Sequence, residues 1–142
     1  MRPRFIPVIA AIALLATTLS HASAQTTSKD VTQKASETGQ AIKEYTVEKK
    51  DEAVAHAKKA TADLEAKIKE LEAQASKQTG ELKAKSQAQI KDLKAKRAKA
   101  SEKVTELSRA TTASWDKAKE GFANAYRDLA VAYDKAVAEF KK

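Results

Sequence analysis

Cysteine is absent from the 142-residue sequence, and only three glycines and two prolines occur in it. Without cysteine, disulfides, thiol chemistry and a lipid-modified N-terminal cysteine are all excluded. Both prolines, Pro3 and Pro7, lie at the start of the chain. Since proline is the residue that most strongly breaks a helix, long uninterrupted helices are expected beyond this point.

Aromatic residues are also scarce at 5%, whereas charged residues reach 32%. A composition dominated by Ala, Glu, Lys and Leu is typical of long helices and coiled coils. Large apolar side chains are too few to fill a thick core. We therefore expect an all-α protein in which long amphipathic helices, after an N-terminal signal helix, form an antiparallel coiled-coil hairpin or a small bundle.

Residues that could carry chemistry are few. His56 is the only histidine after residue 24, so no His/Cys metal cluster is expected within one chain. The sequence contains neither a glycine-rich phosphate loop nor a nucleophile elbow. No catalytic, cofactor-binding or metal-binding residue is predicted, and a function through contact with a partner is expected.

The first 24 residues have the pattern of a secretory signal peptide. Arg2 and Arg4 precede an apolar run over residues 5–19, and the small residues of positions 22–24 predict cleavage before Gln25. The alternative is an uncleaved anchor, but the apolar run is shorter than the roughly 20 residues that a spanning helix needs. A periplasmic or secreted bacterial protein is therefore expected.

The remaining chain divides into a polar start and three predicted helices. Residues 25–28 are predicted to be disordered, and helices are predicted over 29–79, 81–110 and 112–142. Gly80 favours a helix end, and the segment 111–114 contains Ser114 as a candidate N-cap. A break at the first position, at the second or at both is compatible with the pattern.

Apolar residues recur along the chain with helical periodicity. A heptad register runs as far as Leu82 and then shifts, while an 11-residue column that includes Leu71, Leu82, Leu93 and Val104 continues through both halves. This period is typical of nearly straight coiled coils and of apolipoprotein-like lipid-surface helices. Because one seam would not shelter every apolar position, we expect self-association or a helical protein partner. The predicted helix seam consists of Leu64, Ile68, Leu71, Leu82, Ile90, Leu93, Val104 and Leu107.

The last predicted helix contains five of the six aromatic residues that follow residue 24. At 100° per residue its large side chains fall on one face. This face either packs on the earlier helices or lies in a membrane interface, with Lys on the opposite, polar face. The candidate interaction face consists of Trp115, Phe122, Tyr126, Leu129, Tyr133 and Phe140.

Basic residues are concentrated between Lys91 and Lys103. No aromatic residue interleaves them for base stacking, and an exported protein has little access to nucleic acid, so nucleic-acid binding is not expected. A solvated helix face is the simplest interpretation. The functional alternative is attraction to an anionic membrane surface, which requires only charge density.

Several short motifs occur in a fixed order over residues 60–142. Leu93-Lys94-Ala95-Lys96-Arg97 is followed by Ala113-Ser114-Trp115-Asp116, then by Gly121-Phe122-Ala123-Asn124-Ala125-Tyr126. This order resembles a family of small bacterial coiled-coil proteins linked to stress responses. The resemblance implies a helical scaffold with a stress-associated role and transfers no catalytic residue. A weaker resemblance to apolipoprotein-like helices lies in the helical repeat alone.

Overall fold

Four α-helices account for most of residues 28–140, the part of the chain that the computed structural model describes, with side chains from residue 31 onward. They are α1 (Ser28–Glu44), α2 (Lys50–Ala75), α3 (Gly80–Arg109) and α4 (Trp115–Phe140), and a short 3₁₀ turn, Val47–Lys49, precedes α2. No strand occurs within this range, so the expectation of an all-α chain is confirmed. The predicted signal peptide over residues 1–24 lies outside the described residues.

The prediction of one continuous helix over 29–79 is wrong. Helix α1 ends at Glu44, and Thr46 has an extended backbone with φ −83° and ψ 164° before the 3₁₀ turn begins. No glycine or proline marks this break, whereas Gly39 lies inside α1. The position of the break is set by long-range contacts, because side chains of α4 donate hydrogen bonds to the backbone carbonyl of Tyr45.

Both breaks that the sequence leaves open occur in the structure. Helix α2 ends at Ala75, and α3 begins at Gly80, whose φ of 64° lies in the left-handed region that favours glycine. The second break separates Arg109 from Trp115, with Ala110 in an extended conformation. The hydroxyl of Ser114, the predicted N-cap, accepts a hydrogen bond at 2.9 Å from the Thr111 amide, which precedes α4, and not from an amide in the first turn of α4.

Hydrogen bonds and ion pairs between helices define their directions. Thr32 near the start of α1 contacts Asp134 near the end of α4, whereas Lys43 near the end of α1 contacts Lys119 in the second turn of α4. The two helices therefore run in opposite directions. Helices α3 and α4 are also opposed, since the side chain of Gln89 contacts that of Glu139, near the end of α4.

Helix α2 packs beside α3. The carboxylate of Glu65 lies 3.1 Å from the guanidinium of Arg97, and seven residues later, about two helical turns, Glu72 pairs with Lys94. Helices α1 and α2 contact each other much less, and an open groove separates them. Helix α4 contacts all three others and forms the centre of the bundle.

One apolar cluster runs through the described helices and includes seven of the eight predicted seam residues. Burial of each large apolar side chain contributes about 1.5–3 kcal/mol. The buried seam residues are Leu64, Ile68, Leu71, Ile90, Leu93, Val104 and Leu107.

The seam prediction is wrong at Leu82, because the side chain of this residue is 59% exposed. It lies in the first turn of α3, where α2 has already ended at Ala75 and α4 contributes only its last turn, with Phe140 and Glu139 near Leu82. The 11-residue spacing places Leu82 on the inner side of α3, but none of the helices within residues 28–140 extends far enough to cover it.

Candidate interaction surfaces

The aromatic face of α4 is assembled as predicted, but it points into the bundle. Phe122 and Leu129 are fully buried, and Trp115 and Tyr126 are nearly so. The rings of Phe122 and Tyr126 are stacked, with centroids 5.6 Å apart and planes 17° apart. Tyr133 and Phe140 are partly buried against the same core. In this conformation the face is therefore covered by the other helices of the same chain.

Tyr126 joins the aromatic face to α2. Its hydroxyl donates a hydrogen bond to the carbonyl oxygen of Ala60 at 3.2 Å, inside the core. Burial, with a smaller contribution from the negative charge of Asp63, raises the pKa of Tyr126 to about 12. Burial also raises the pKa of Tyr133, and the charge of Glu70 adds to that effect. Both phenols are therefore held in their neutral form by the fold.

The C-terminal end of α1 is held by two side chains of α4. The ammonium group of Lys119 donates to the carbonyl oxygens of Lys43 at 2.8 Å and Tyr45 at 3.0 Å. The indole N–H of Trp115 donates to the same Tyr45 carbonyl at 2.9 Å. The last carbonyls of a helix lack partners within it and carry partial negative charge, so a buried cation stabilises this end.

Lys119 is held in place from its own helix as well. Its ammonium lies 3.3 Å from the carboxylate of Asp116 and 5.7 Å from the centroid of the Trp115 ring. The whole residue is only 8% exposed. A charge buried to this extent requires partners, and the two carbonyl oxygens, the carboxylate and the ring supply them.

The opposite end of α1 is held by Asp134 of α4. One carboxylate oxygen of Asp134 accepts from the backbone N–H of Thr32 at 2.9 Å and from the Thr32 hydroxyl. The other oxygen has no hydrogen-bond partner among residues 31–140, although Asp134 is only 8% exposed. A carboxylate near a helix N-terminus is favoured by the helix dipole, so this contact orients α1 against α4.

Between these two ends, small residues bring α1 close to α4. A Cβ atom added at Gly39 would lie 3.2 Å from the Cβ of Ala123, which is tighter than an ordinary packing contact. The buried apolar side chains of α1 are only Val31, Ala35 and Ile42. Helix α1 therefore covers the aromatic face of α4 with little apolar area and is fastened at both ends by polar contacts.

The groove between α1 and α2 has a volume of about 600 Å³. Its apolar lining includes Val31, Leu64 and Tyr126. Charged side chains of both signs also line it, and they are Lys34, Lys59, Asp63, Lys67 and Glu70. A groove with this combination matches an amphipathic helix that itself carries charges of both signs.

The outer side of α3 is the most basic surface of the described helices. Arg97 and Lys94 form ion pairs with α2, and Lys103 pairs with Glu106 at 2.9 Å within α3. The hydrogen bond to Glu106 raises the pKa of Lys103. No aromatic residue occurs in α3, and its exposed surface consists mainly of charged, polar and small side chains, with Leu82 as the exposed large apolar residue.

Residues 28–140 contain neither a candidate metal cluster nor a candidate membrane-spanning helix. In that range no three His, Cys, Asp or Glu side chains are grouped so that they could hold a metal ion. None of the helices in the same range is both long enough and apolar enough to cross a membrane.

Comparison with known proteins gives no match. No protein-family model matches the sequence, and no curated protein or solved structure is similar enough to count as a match. The resemblance to the stress-response family therefore depends on the motif residues of the sequence alone.

Sequence reasoning identified the aromatic face but missed the two charged residues that fasten α1. A signal for Lys119 was present, because at 100° per residue it lies only 40° from Trp115, on the apolar side of the helix. Lys117, Glu120 and Asp128, which the same spacing of 100° per residue places away from the aromatic face, are exposed. No comparable signal marks Asp134, whose role depends on where α1 packs.

Proposed function

We propose that the protein is a non-catalytic helical interaction protein that acts outside the cytoplasm after removal of residues 1–24. The observation that carries this proposal is the open groove between α1 and α2. The groove combines an apolar floor with charges of both signs, and such a site favours binding of an amphipathic helix over binding of a small polar substrate. The structural or stress-associated role that the motif resemblance implies is consistent with such a helix-binding site.

The partner that we propose for the groove is a helix of a second copy or of another helical protein. The helices of this chain are themselves amphipathic and carry charges of both signs. The structure removes one reason to expect self-association, because the only large apolar side chains exposed in residues 31–140 are Leu82 and Val131. A second copy would therefore bind through the groove and not through an exposed coiled-coil seam.

Sedimentation equilibrium of the exported, processed protein tests this proposal. The double variant Lys59→Glu/Lys67→Glu reverses two charges of the groove, and Lys58→Glu/Lys77→Glu is a control with the same net charge outside it. We expect self-association in the unmodified protein that is weakened about tenfold or more by the groove variant and little by the control. A strictly monomeric protein at high concentration would contradict the second-copy partner, and equal weakening by both variants would contradict the groove as the site.

A second candidate function is reversible binding to an anionic membrane surface through α4. The observation that favours it is the small apolar area of α1, since release of α1 would expose a face that contains Trp115, Phe122 and Tyr126. Aromatic side chains of this kind are suited to the membrane interface. The test is quenching of Trp115 fluorescence by brominated lipids: quenching supports insertion of α4, and its absence in vesicle-bound protein contradicts it.

A further inference from the structure

Net positive charge is confined to one helix of the bundle. Helix α3 contains nine Lys or Arg residues and four Asp or Glu residues, a net charge of +5. The corresponding net charge is 0 for α1 and −1 for each of α2 and α4. The folded protein therefore presents a basic side to its surroundings and a nearly neutral surface elsewhere.

Much of this charge is free to act outside the chain. Three of the nine basic residues of α3 take part in ion pairs within 4.0 Å among the described residues. The other six make no ion pair with any side chain of residues 31–140, and all but Lys96 are exposed. These six residues, named here the basic face, are spread around the outer side of α3, where the exposed acids Glu81, Asp92, Glu102 and Glu106 also lie; they are Lys83, Lys85, Lys91, Lys96, Lys99 and Arg109.

The basic face has a length and a chemistry that suit a planar surface. Helix α3 has 30 residues, which corresponds to about 45 Å. Between its charged residues most of the exposed side chains are small, including Ala84, Ala88, Ala95 and Ala98, and the one exposed large apolar side chain of α3 is Leu82 in its first turn. Contact along the rest of this helix would therefore be electrostatic over an extended area.

We propose that the closed bundle docks through the basic face of α3 on an anionic phospholipid surface, with α4 remaining in the core. A membrane attracts such a face through its charge density alone, and the uneven charge of the bundle orients α3 toward it. Single-stranded nucleic acid is the less favoured polyanion, because its binding sites combine basic grooves with stacking aromatic rings and α3 contains no aromatic residue. The groove between α1 and α2 plays no part in this docking.

The test uses the exported, processed protein with vesicles that contain phosphatidylglycerol and with vesicles of phosphatidylcholine alone. The variant Lys85→Gln/Lys91→Gln/Lys99→Gln removes three charges from the basic face. The control Lys43→Gln/Lys58→Gln/Lys77→Gln removes three exposed lysines elsewhere that make no ion pair, so both variants have the same net charge. A third variant, Lys85→Arg/Lys91→Arg/Lys99→Arg, keeps the charge and checks that the substitutions themselves do not disturb the helix.

We expect binding to anionic vesicles that weakens with added salt, and no binding to neutral vesicles. Each lysine near the surface contributes about a factor of five, so the α3 glutamine variant should bind roughly 100-fold more weakly. The control should bind much more tightly than that variant, and the arginine variant should match the unmodified protein. Circular dichroism should give the same helix content for all four proteins.

Four results would overturn the proposal. They are no binding to anionic vesicles at low salt, equal loss of binding in both glutamine variants, quenching of Trp115 by brominated lipids in the bound state, and tighter binding to a single-stranded oligonucleotide than to vesicles. The third result would instead support insertion of α4, and the fourth would make nucleic acid the partner. Self-association through the groove is measured without lipid, whereas docking through α3 is measured with vesicles. Each of the two proposals can therefore fail without affecting the result for the other.

Discussion

The ammonium group of Lys119 lies 2.8 Å from the carbonyl oxygen of Lys43, so a charged side chain of α4 closes the C-terminal end of α1. Asp134 of α4 accepts from Thr32 near the other end of α1. Helix α1 is thus fastened to α4 at both ends by polar contacts and lies over the aromatic face between them. While α1 stays attached, the aromatic face is part of the core; if α1 were released, the face would become surface.

Replacing Lys119 with Met keeps the apolar stem and removes the charge. Two carbonyl oxygens then lose a donor in a nearly buried site, and we expect the free energy of unfolding to fall by about 1–3 kcal/mol. Urea denaturation measures the change, and Lys117→Met is the matched control because Lys117 is exposed. In the Lys119 variant, the backbone amides of α1 should exchange hydrogen faster than those of α3. Equal stability of the two variants would contradict the role given to Lys119.

Replacing Asp134 with Ala removes the acceptor at the other end of α1. Hydrogen bonds to a charged acceptor contribute about 1.5–3 kcal/mol, and part of this is offset because one carboxylate oxygen of Asp134 is buried without a partner. We therefore expect a loss of about 1 kcal/mol in thermal or urea unfolding. Asp128→Ala on the exposed side of α4 should change stability by less than about 0.5 kcal/mol. A stabilised Asp134 variant would show that burial of the carboxylate outweighs its contact with Thr32.

Two leucines eleven residues apart on α3 should respond differently to truncation. Leu93 is 1% exposed, so Leu93→Ala is expected to cost about 2–5 kcal/mol through lost burial and the cavity that remains. Leu82 is 59% exposed, so Leu82→Ala should change the unfolding free energy by about 0.5 kcal/mol or less. Comparable losses at both positions would mean that Leu82 is covered in solution, for example by a second copy.

The raised pKa of Tyr126 predicts a specific loss of stability in alkali. The phenol has a pKa of about 12 in the folded chain and about 10 when unfolded, so the fold favours its neutral form. This contribution is complete below pH 10 and is lost as the pH rises through 12. Urea unfolding between pH 9 and 12 should show a shallower decline for Tyr126→Phe than for the unmodified protein. Parallel declines would contradict the burial of the phenol.

The sequence predicted the helical class, the buried seam and the composition of the aromatic face, because helical periodicity and side-chain type determine each of them. The break after Glu44 lacks a glycine or proline, and its only local signal is Tyr45-Thr46-Val47, a run of residue types with lower helix propensity. It depends on contacts with Trp115 and Lys119, which lie some 70 residues farther along the chain. Gly39 marks no break in α1, and its small size serves a close contact with Ala123.

The exposure of Leu82 shows a second limit of periodicity. An 11-residue column specifies the side of a helix on which a residue lies, but not whether a neighbouring helix extends that far. The groove between α1 and α2 was not predictable for a similar reason. The distance between α1 and α2 sets the width of the groove, and the pattern of apolar residues in either helix alone does not encode that distance.

Solvent accessibility of Trp115, the only tryptophan, tests most directly whether the aromatic face of α4 is the core of a closed bundle. Acrylamide quenching of its fluorescence should be weak in the processed protein, because the residue is 4% exposed. It should stay weak when the protein is bound to anionic vesicles and become strong only in denaturant. Strong quenching in the folded, lipid-free protein would contradict the account, because it would place Trp115 on an open surface.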